Sequence, residues 1–186
     1  MDLLDVGAGD GSDSLILADT YSLNVTSLDI ELPASGLLKV ERFLVGSIFD
    51  LPFSDEVFDY VYVHDVLHHI DQVEQSSTKH RLGLSELARV VKPEGYIIIV
   101  EGNRYNPLFY PHMVRLLGHN HWKQRYFRKT VSDIFPKVKF SYFEAHVYPR
   151  PYWVWNLYER FMEKFSPCAF LAYNVAIAER GNSETS

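Results

Sequence analysis

One cysteine, Cys168, is all the thiol chemistry this chain carries. An internal disulfide framework and a cysteine-based zinc site are therefore excluded, and a reducing cytosol suits the protein. Long apolar runs are missing as well. No stretch of about 18 uncharged apolar residues occurs, so no transmembrane segment is expected, and the amino end lacks the basic and apolar regions of a secretory leader. Positive charge is in deficit, with 18 Lys and Arg against 24 Asp and Glu and a net charge of -6. That balance argues against affinity built on neutralising many phosphates, so nucleic acid is not an expected partner. The expectation is a cytoplasmic protein that handles small molecules.

What is present is one domain's worth of sequence. The 186 residues suit a single domain over residues 1–180 with a polar tail at 181–186. Short β-branched or leucine-rich runs alternate with polar helical stretches through the first hundred residues, the rhythm of an α/β domain with a parallel sheet. Strands are expected at Leu3 to Val6, Asn24 to Asp29, Arg42 to Val45, Phe58 to Val63 and Tyr96 to Val100. Helices are expected at Ser12 to Tyr21 and at Ser77 to Val91, the latter from the spacing of Leu82, Leu84, Leu87, Ala88 and Val91, ending at "KPEG". Beyond Val100 lies most of the aromatic content. Helices are expected there at about Phe109 to Leu117, Thr130 to Phe135 and Tyr152 to Phe165, with strands at about Lys139 to Val147 and Phe170 to Ala178.

The first strand runs straight into "GAGDG". Gly7, Ala8, Gly9, Asp10 and Gly11 must form a tight turn whose backbone, rather than side chains, faces a ligand. Asp29 ends the second strand, where a carboxylate can accept two hydrogen bonds from a ribose diol. The glycine spacing is G-x-G-x-G and position 12 is Ser12, whereas a nicotinamide site favours G-x-G-x-x-G. The loop alone leaves two readings open, a ribose-bearing cofactor site or a simple strand-helix corner.

"LLDVGAGDG", "LDIE", "VGSIFDLPFSDEVFDYVYVHDVLHHI" and "ELARVVKPEGYIIIVEGN" follow one another in an order and at spacings that resemble the class I S-adenosylmethionine-dependent methyltransferases, over about residues 2 to 103. The resemblance implies a doubly wound, Rossmann-like sheet of seven strands with the last antiparallel. It also divides the domain into a cofactor half, about 1–103, and a substrate-recognition half, about 104–180. It implies that Gly7, Ala8, Gly9 and Gly11 turn against the methionine part of the cofactor, braced by Asp5. Asp29 then holds the ribose hydroxyls and Ile30 packs on the adenine. Ser47 and Ile48 meet the adenine edge, and Val63 and His64 line the methionine moiety. Ser47 stands where the family commonly has aspartate, and Glu94 where it has glycine. Relatives usually place helices before the first strand, and this sequence lacks them. Either the chain is a truncated version or the aromatic carboxyl half or a partner covers the cofactor, and a more exposed cofactor site is expected.

A sulfonium methyl is already electrophilic, so the protein mainly aligns the acceptor and excludes water. For a hydroxyl acceptor the candidate bases are His64, His68 and His69, at the carboxyl edge of the sheet. Glu101 and Asn103 are expected to face the same pocket. No metal is expected: His64 and His68 stand at i and i+4, and no third ligand follows at a typical spacing. Most aromatics belong to the core, with a minority among Tyr105, Tyr110, Trp122, Tyr126, Trp153 and Trp155 available to wall an acceptor pocket. The basic residues Lys123, Arg125, Arg128 and Lys129 read as a solvated helix face. The expected activity is methyl transfer from S-adenosylmethionine to an oxygen or nitrogen of a small organic or lipid-linked acceptor. The alternatives are a catalytically inactive cofactor-binding or regulatory module of the same fold and an NAD-dependent oxidoreductase.

Overall fold

The computed structural model describes residues 1–34, 37–71, 74, 76–145 and 151–181. Seven strands form one sheet: β1 (Asp2–Val6), β2 (Asn24–Asp29), β3 (Phe43–Val45), β4 (Phe58–His64), β5 (Val91–Gly102), β6 (Lys137–Phe143) and β7 (Tyr173–Glu179). Their order is β3-β2-β1-β4-β5-β7-β6. Neighbours from β3 to β5 pair in parallel, and β7 runs antiparallel to both β5 and β6. This is the seven-stranded α/β sheet with an antiparallel last strand that the sequence implied. Because the chain crosses from β3 to β4 on the far side of β1, a crevice opens at the carboxyl ends of β1 and β4, where ligands bind in such sheets.

The sheet is covered on both faces, which is why its central strands read as near-continuous apolar runs. Leu4, Val61, Val63, Ile97 and Ile99 are wholly buried. Helix α2 (Ser77–Val90) presents His80, Gly83, Leu84, Leu87 and Val90 to the core, a single face at spacings of three and four. Full burial of Leu84 or Leu87 contributes roughly 1.5–3 kcal/mol each. Leu82, expected on that face, lies on the opposite one and is 55% exposed. Helix α1 (Ser12–Tyr21) is different, since it buries only Ser14. Its hold on the sheet is polar, through Ser14 Oγ to the Asp5 carboxylate and to Ser27 Oγ.

Helix α3 (Gln124–Ile134) starts six residues before the expected Thr130, because Phe127, Thr130 and Val131 form its buried stripe within a basic run. Tyr110–Leu116 winds as a π-type helix. Helix α4 spans Tyr152–Phe165 as expected. The expected strand end at Val147 and the tail at 182–186 lie outside the described residues. "KPEG" is not a simple helix stop. β5 already begins at Val91, paired with Phe58, and the next registered pair is Tyr60 with Tyr96, so Lys92 to Gly95 bulge out of the ladder. No helix among the described residues is long and apolar enough to cross a membrane.

Candidate functional site

At the end of β1, Gly7 adopts φ +78, and a Cβ there would sit 2.1 Å from Val66 Cγ2. Only glycine fits both the backbone conformation and the close approach. The turn is then tied to β2: Gly7 N and Ala8 N donate to Leu28 O at 2.7 and 3.1 Å. Gly9 N donates to Asp29 Oδ2 at 2.8 Å, and Ile30 N to Asp29 Oδ1 at 2.6 Å. A carboxylate offers about four acceptor positions. With one N–H on each oxygen, Asp29 keeps the capacity to accept two more donors, the requirement for holding a vicinal diol.

Beside this turn lies a cavity of about 580 Å³ at the carboxyl ends of β1, β2 and β4. Gly7, Asp29, Ile30, Ser47, Ile48 and His69 from the expected set line it, together with Phe49, Asp65 and Val66. Ser47 Oγ accepts from Phe49 N at 3.2 Å, so its own proton remains available. Ala8, Gly9 and Gly11 build the turn itself. Asp5 lies beneath the turn with its carboxylate on Ser14, 2% exposed, and burial pushes it up to about 6 against the donation from Ser14. Val63, expected to line the methionine moiety, is wholly buried in the hydrophobic core.

The three histidines fall into three environments. His64 Nδ1 lies 2.7 Å from Asp13 Oδ2, which also accepts from Tyr62 OH at 3.2 Å. The Asp13 hydrogen bond holds His64 above the usual imidazole range, against desolvation, and burial followed by the Asp13 charge drives the Tyr62 phenol upward. His64 Nε2 is buried with no hydrogen-bond partner and lies 3.8 Å from Asp65 Oδ2. His68 is 2% exposed and lies outside the cavity lining, its Nδ1 2.8 Å from Glu101 Oε2. Burial pulls His68 down, but the Glu101 hydrogen bond and charge outweigh it and leave it raised. His69 alone of the three lines the cavity, and it is lowered by burial and by the neighbouring His68 and His119.

Glu101 and Asn103 turn inward rather than to a pocket. Glu101 is wholly buried and accepts from Leu67 N at 2.6 Å as well as engaging His68. Asn103 donates to the Ala169 and Leu171 carbonyls at 2.8 and 2.9 Å. Trp122 is also a core residue, packed on His80 and Tyr126, whereas Tyr105, Tyr110 and Trp153 are exposed.

Sequence reasoning missed Asp13, Asp65 and Val66. Asp65 sits at φ 53 and accepts from Gly102 N at 2.8 Å, clamping the ends of β4 and β5 together at the cavity wall. Left-handed backbone at a non-glycine is costly and clusters at functional sites. Burial and the Glu101 charge raise its carboxyl above the ordinary range. The available signal for Asp13 was an acidic residue in the first turn of α1, directly after the glycine turn.

With this geometry in place, comparison with known proteins is informative. The family model described as "Methyltransferase domain" matches residues 4–99. The chain is 32% identical over 109 residues to the glycine/sarcosine/dimethylglycine N-methyltransferase of Actinopolyspora halophila, covering 53% of this chain and 18% of that protein. It is 34% identical over 116 residues to the demethylmenaquinone methyltransferase of Renibacterium salmoninarum, covering 59% of this chain and 44% of that protein. The matches thus span less than half the length of either relative. A SAM dependent methyltransferase from Archaeoglobus fulgidus superposes with a TM-score of 0.66 at 17% identity, over 96% of this chain and 85% of that one. That is a likeness of fold.

Proposed function

Because the chain belongs to the methyltransferase-domain family, matched over residues 4–99, we propose that it binds S-adenosylmethionine beside Gly7. It transfers the methyl group to an oxygen or nitrogen of a small organic or lipid-linked acceptor. The observation that carries this reading is Asp29, whose two oxygens each keep acceptor capacity at the mouth of the cavity.

The residues present fit the cofactor. The Gly7 turn admits close backbone approach, Asp29 suits a ribose diol, and Ile30, Ile48 and Phe49 offer apolar surface to a purine, with Ser47 at its edge. When bound, the cofactor supplies a methyl group already activated by its sulfonium. The chain's own task is to hold the acceptor, exclude water and, for an oxygen acceptor, take a proton. For that last role His69 stands at the cavity wall, whereas His64, whose Nδ1 Asp13 orients, lies outside the lining with Nε2 3.8 Å from Asp65 Oδ2. The groups that set the basicity of His64 are Asp13 on α1, Asp65 after β4 and Glu101 on β5.

The acceptors named for the two relatives, glycine derivatives in one and demethylmenaquinone in the other, differ in chemistry. The choice between oxygen and nitrogen therefore rests on this chain's own pocket. Calorimetry with S-adenosylmethionine, S-adenosylhomocysteine and NAD tests the proposal, joined to a labelled-methyl assay over phenols, amines, carboxylates and prenylated quinols. Expected are S-adenosylhomocysteine binding and methyl incorporation into one acceptor class. Binding of NAD alone would overturn it, and S-adenosylhomocysteine binding without turnover on any acceptor would leave a binding module.

A further inference from the structure

We propose that His68, His119 and His121 form a binding site for a divalent late first-row metal ion, zinc foremost, immediately behind the cavity. Their ligand nitrogens all lie within 4.8 Å of one another. The three come from distant parts of the chain. His68 sits in the short turn Leu67–His69 after β4, while His119 and His121 belong to the loop that crosses the end of β5 before α3.

His121 is the residue that asks for a ligand. It is 4% exposed, and both of its ring nitrogens are buried with no hydrogen-bond partner. Leaving a buried polar group unsatisfied costs about 1–3 kcal/mol, so its position needs another reason. The fold makes deliberate room for it, since a Cβ on Gly102 would stand 2.6 Å from His121 Nδ1. The loop that carries it is fastened on both sides. His119 N donates to Met113 O at 2.9 Å, and Arg104 Nη1 donates to Asn120 Oδ1 at 2.5 Å.

His68 shows the support that metal-binding imidazoles have. Its Nδ1 is engaged by the buried Glu101 carboxylate, which fixes the ring and leaves Nε2 as the ligand atom, the carboxylate–histidine arrangement found behind metal ions. The rings of His68 and His121 approach to 4.2 Å between centroids, and His119 lies 6.2 Å from His121. Three imidazoles and no thiolate suit zinc, nickel, copper or iron and disfavour magnesium or calcium. Three protein ligands leave a fourth position for water or an oxygen ligand, as in catalytic zinc sites. Asp65 and Glu101, whose carboxylate oxygens cluster with His68, supply compensating negative charge.

Asp65 also lines the cavity, so a metal bound here would bear on a ligand in the cavity through this shared residue. That role rests on the methyltransferase reading, whereas metal binding itself does not. The sequence could not reveal the site, because no third ligand follows His64 and His68 at a typical spacing and His119 and His121 lie some fifty residues on.

Tag-free, chelator-stripped protein titrated with Co²⁺ alone tests the site, followed by displacement with Zn²⁺. One equivalent is expected, with visible ligand-field bands of nitrogen ligation. His119→Gln and His121→Gln should each weaken binding roughly tenfold or more, and Glu101→Gln about 10–100-fold through loss of the orienting carboxylate. Zn²⁺ should raise the melting temperature of the unmutated protein, a readout independent of how the variants fold. Failure of the unmutated protein to take up stoichiometric Co²⁺ or Zn²⁺ overturns the proposal, as does uptake unchanged in both histidine variants. S-adenosylhomocysteine binding measured without metal reports on the methyltransferase reading separately.

Discussion

The two halves of this chain differ in how completely their buried polar groups are paired. Through residue 103 the buried polar groups are satisfied internally, and among the described residues the one buried polar side-chain atom without a hydrogen-bond partner is His64 Nε2, 3.8 Å from Asp65 Oδ2. After residue 103 the orphaned atoms accumulate, at both nitrogens of His121, at Trp122 Nε1 and at Asn174 Nδ2. Both halves leave apolar side chains outside, Ile16, Ile30 and Leu82 among them in the first, but in the second they gather on one helix. Helix α4 buries only Met162, while Trp153, Leu157, Phe161 and Phe165 form one exposed row at intervals of four. The first half is a scaffold whose polar groups are satisfied internally, and the second, while completing the sheet and the core, also holds groups the protein does not use internally.

The strongest way to break that comparison is to truncate one leucine on each side. Leu84→Ala removes a wholly buried side chain between α2 and the sheet and should cost about 2–5 kcal/mol in urea unfolding. Leu157→Ala, at a residue 63% exposed, should change stability by no more than about 0.5 kcal/mol. Comparable losses would mean that the α4 row is packed against something in solution.

Within the scaffold, Asp5 is the exception that sharpens the rule. Burial lifts its carboxyl from 3.8 to about 6, so the folded state holds a proton that the unfolded state releases. The stability this contributes is fully present below the unfolded value and is lost as pH rises through the folded one. At about 1.36 kcal/mol per unit, the loss between about pH 4 and pH 6 is about 3 kcal/mol. Asp5→Asn keeps an acceptor for Ser14 and removes this dependence. Relative to the unmutated protein, the variant should gain about 3 kcal/mol between about pH 4 and pH 7 in urea titrations. Parallel pH profiles would show that Asp5 ionises normally.

The same contrast governs what could be read from the sequence. β2 at Asn24–Asp29, α1 at Ser12–Tyr21 and α4 at Tyr152–Phe165 have the expected bounds, because their limits are set locally by Gly11 at φ 81, Ser22 at φ 54 and Pro151. The glycine turn and Asp29 were legible for the same reason. What failed was long-range. Leu82 and Leu84 look alike in sequence, and only the sheet decides which is covered. Trp122 looked like a pocket wall and packs on His80, and His119 and His121 meet His68 only because a loop crosses β5.

Asp29 tests whether the ligand-holding power lies where the turn places it. Asp29→Ala removes the acceptor for Gly9 N and Ile30 N together with the two free acceptor positions. S-adenosylhomocysteine binding should weaken by about 1.5–3 kcal/mol, the worth of hydrogen bonds to a charged group, which is roughly 10–150-fold in Kd. Trp153→Ala, on the exposed α4 row, should leave that affinity unchanged. Calorimetry giving equal losses for both would move the cofactor out of the Gly7 cavity.

The smallest expected effect lies at Glu94, where the family resemblance calls for glycine. Glu94 adopts φ 63 in the bulge between Val91 and Tyr96, and left-handed backbone costs a residue with a Cβ about 1–2 kcal/mol. The backbone bonds that shape the bulge, Glu94 N to Arg180 O at 3.1 Å and Arg180 N to Gly95 O at 2.9 Å, involve no side chain of Glu94 and survive its removal. Glu94→Gly relieves the strain but adds freedom to the unfolded chain worth about 0.5–1 kcal/mol. The net should be a gain of about 0.5 kcal/mol, visible as a higher urea midpoint at unchanged slope. A loss of stability would mean that the Glu94 side chain helps hold the bulge, and that a departure from the family pattern had been compensated within the scaffold rather than tolerated by it.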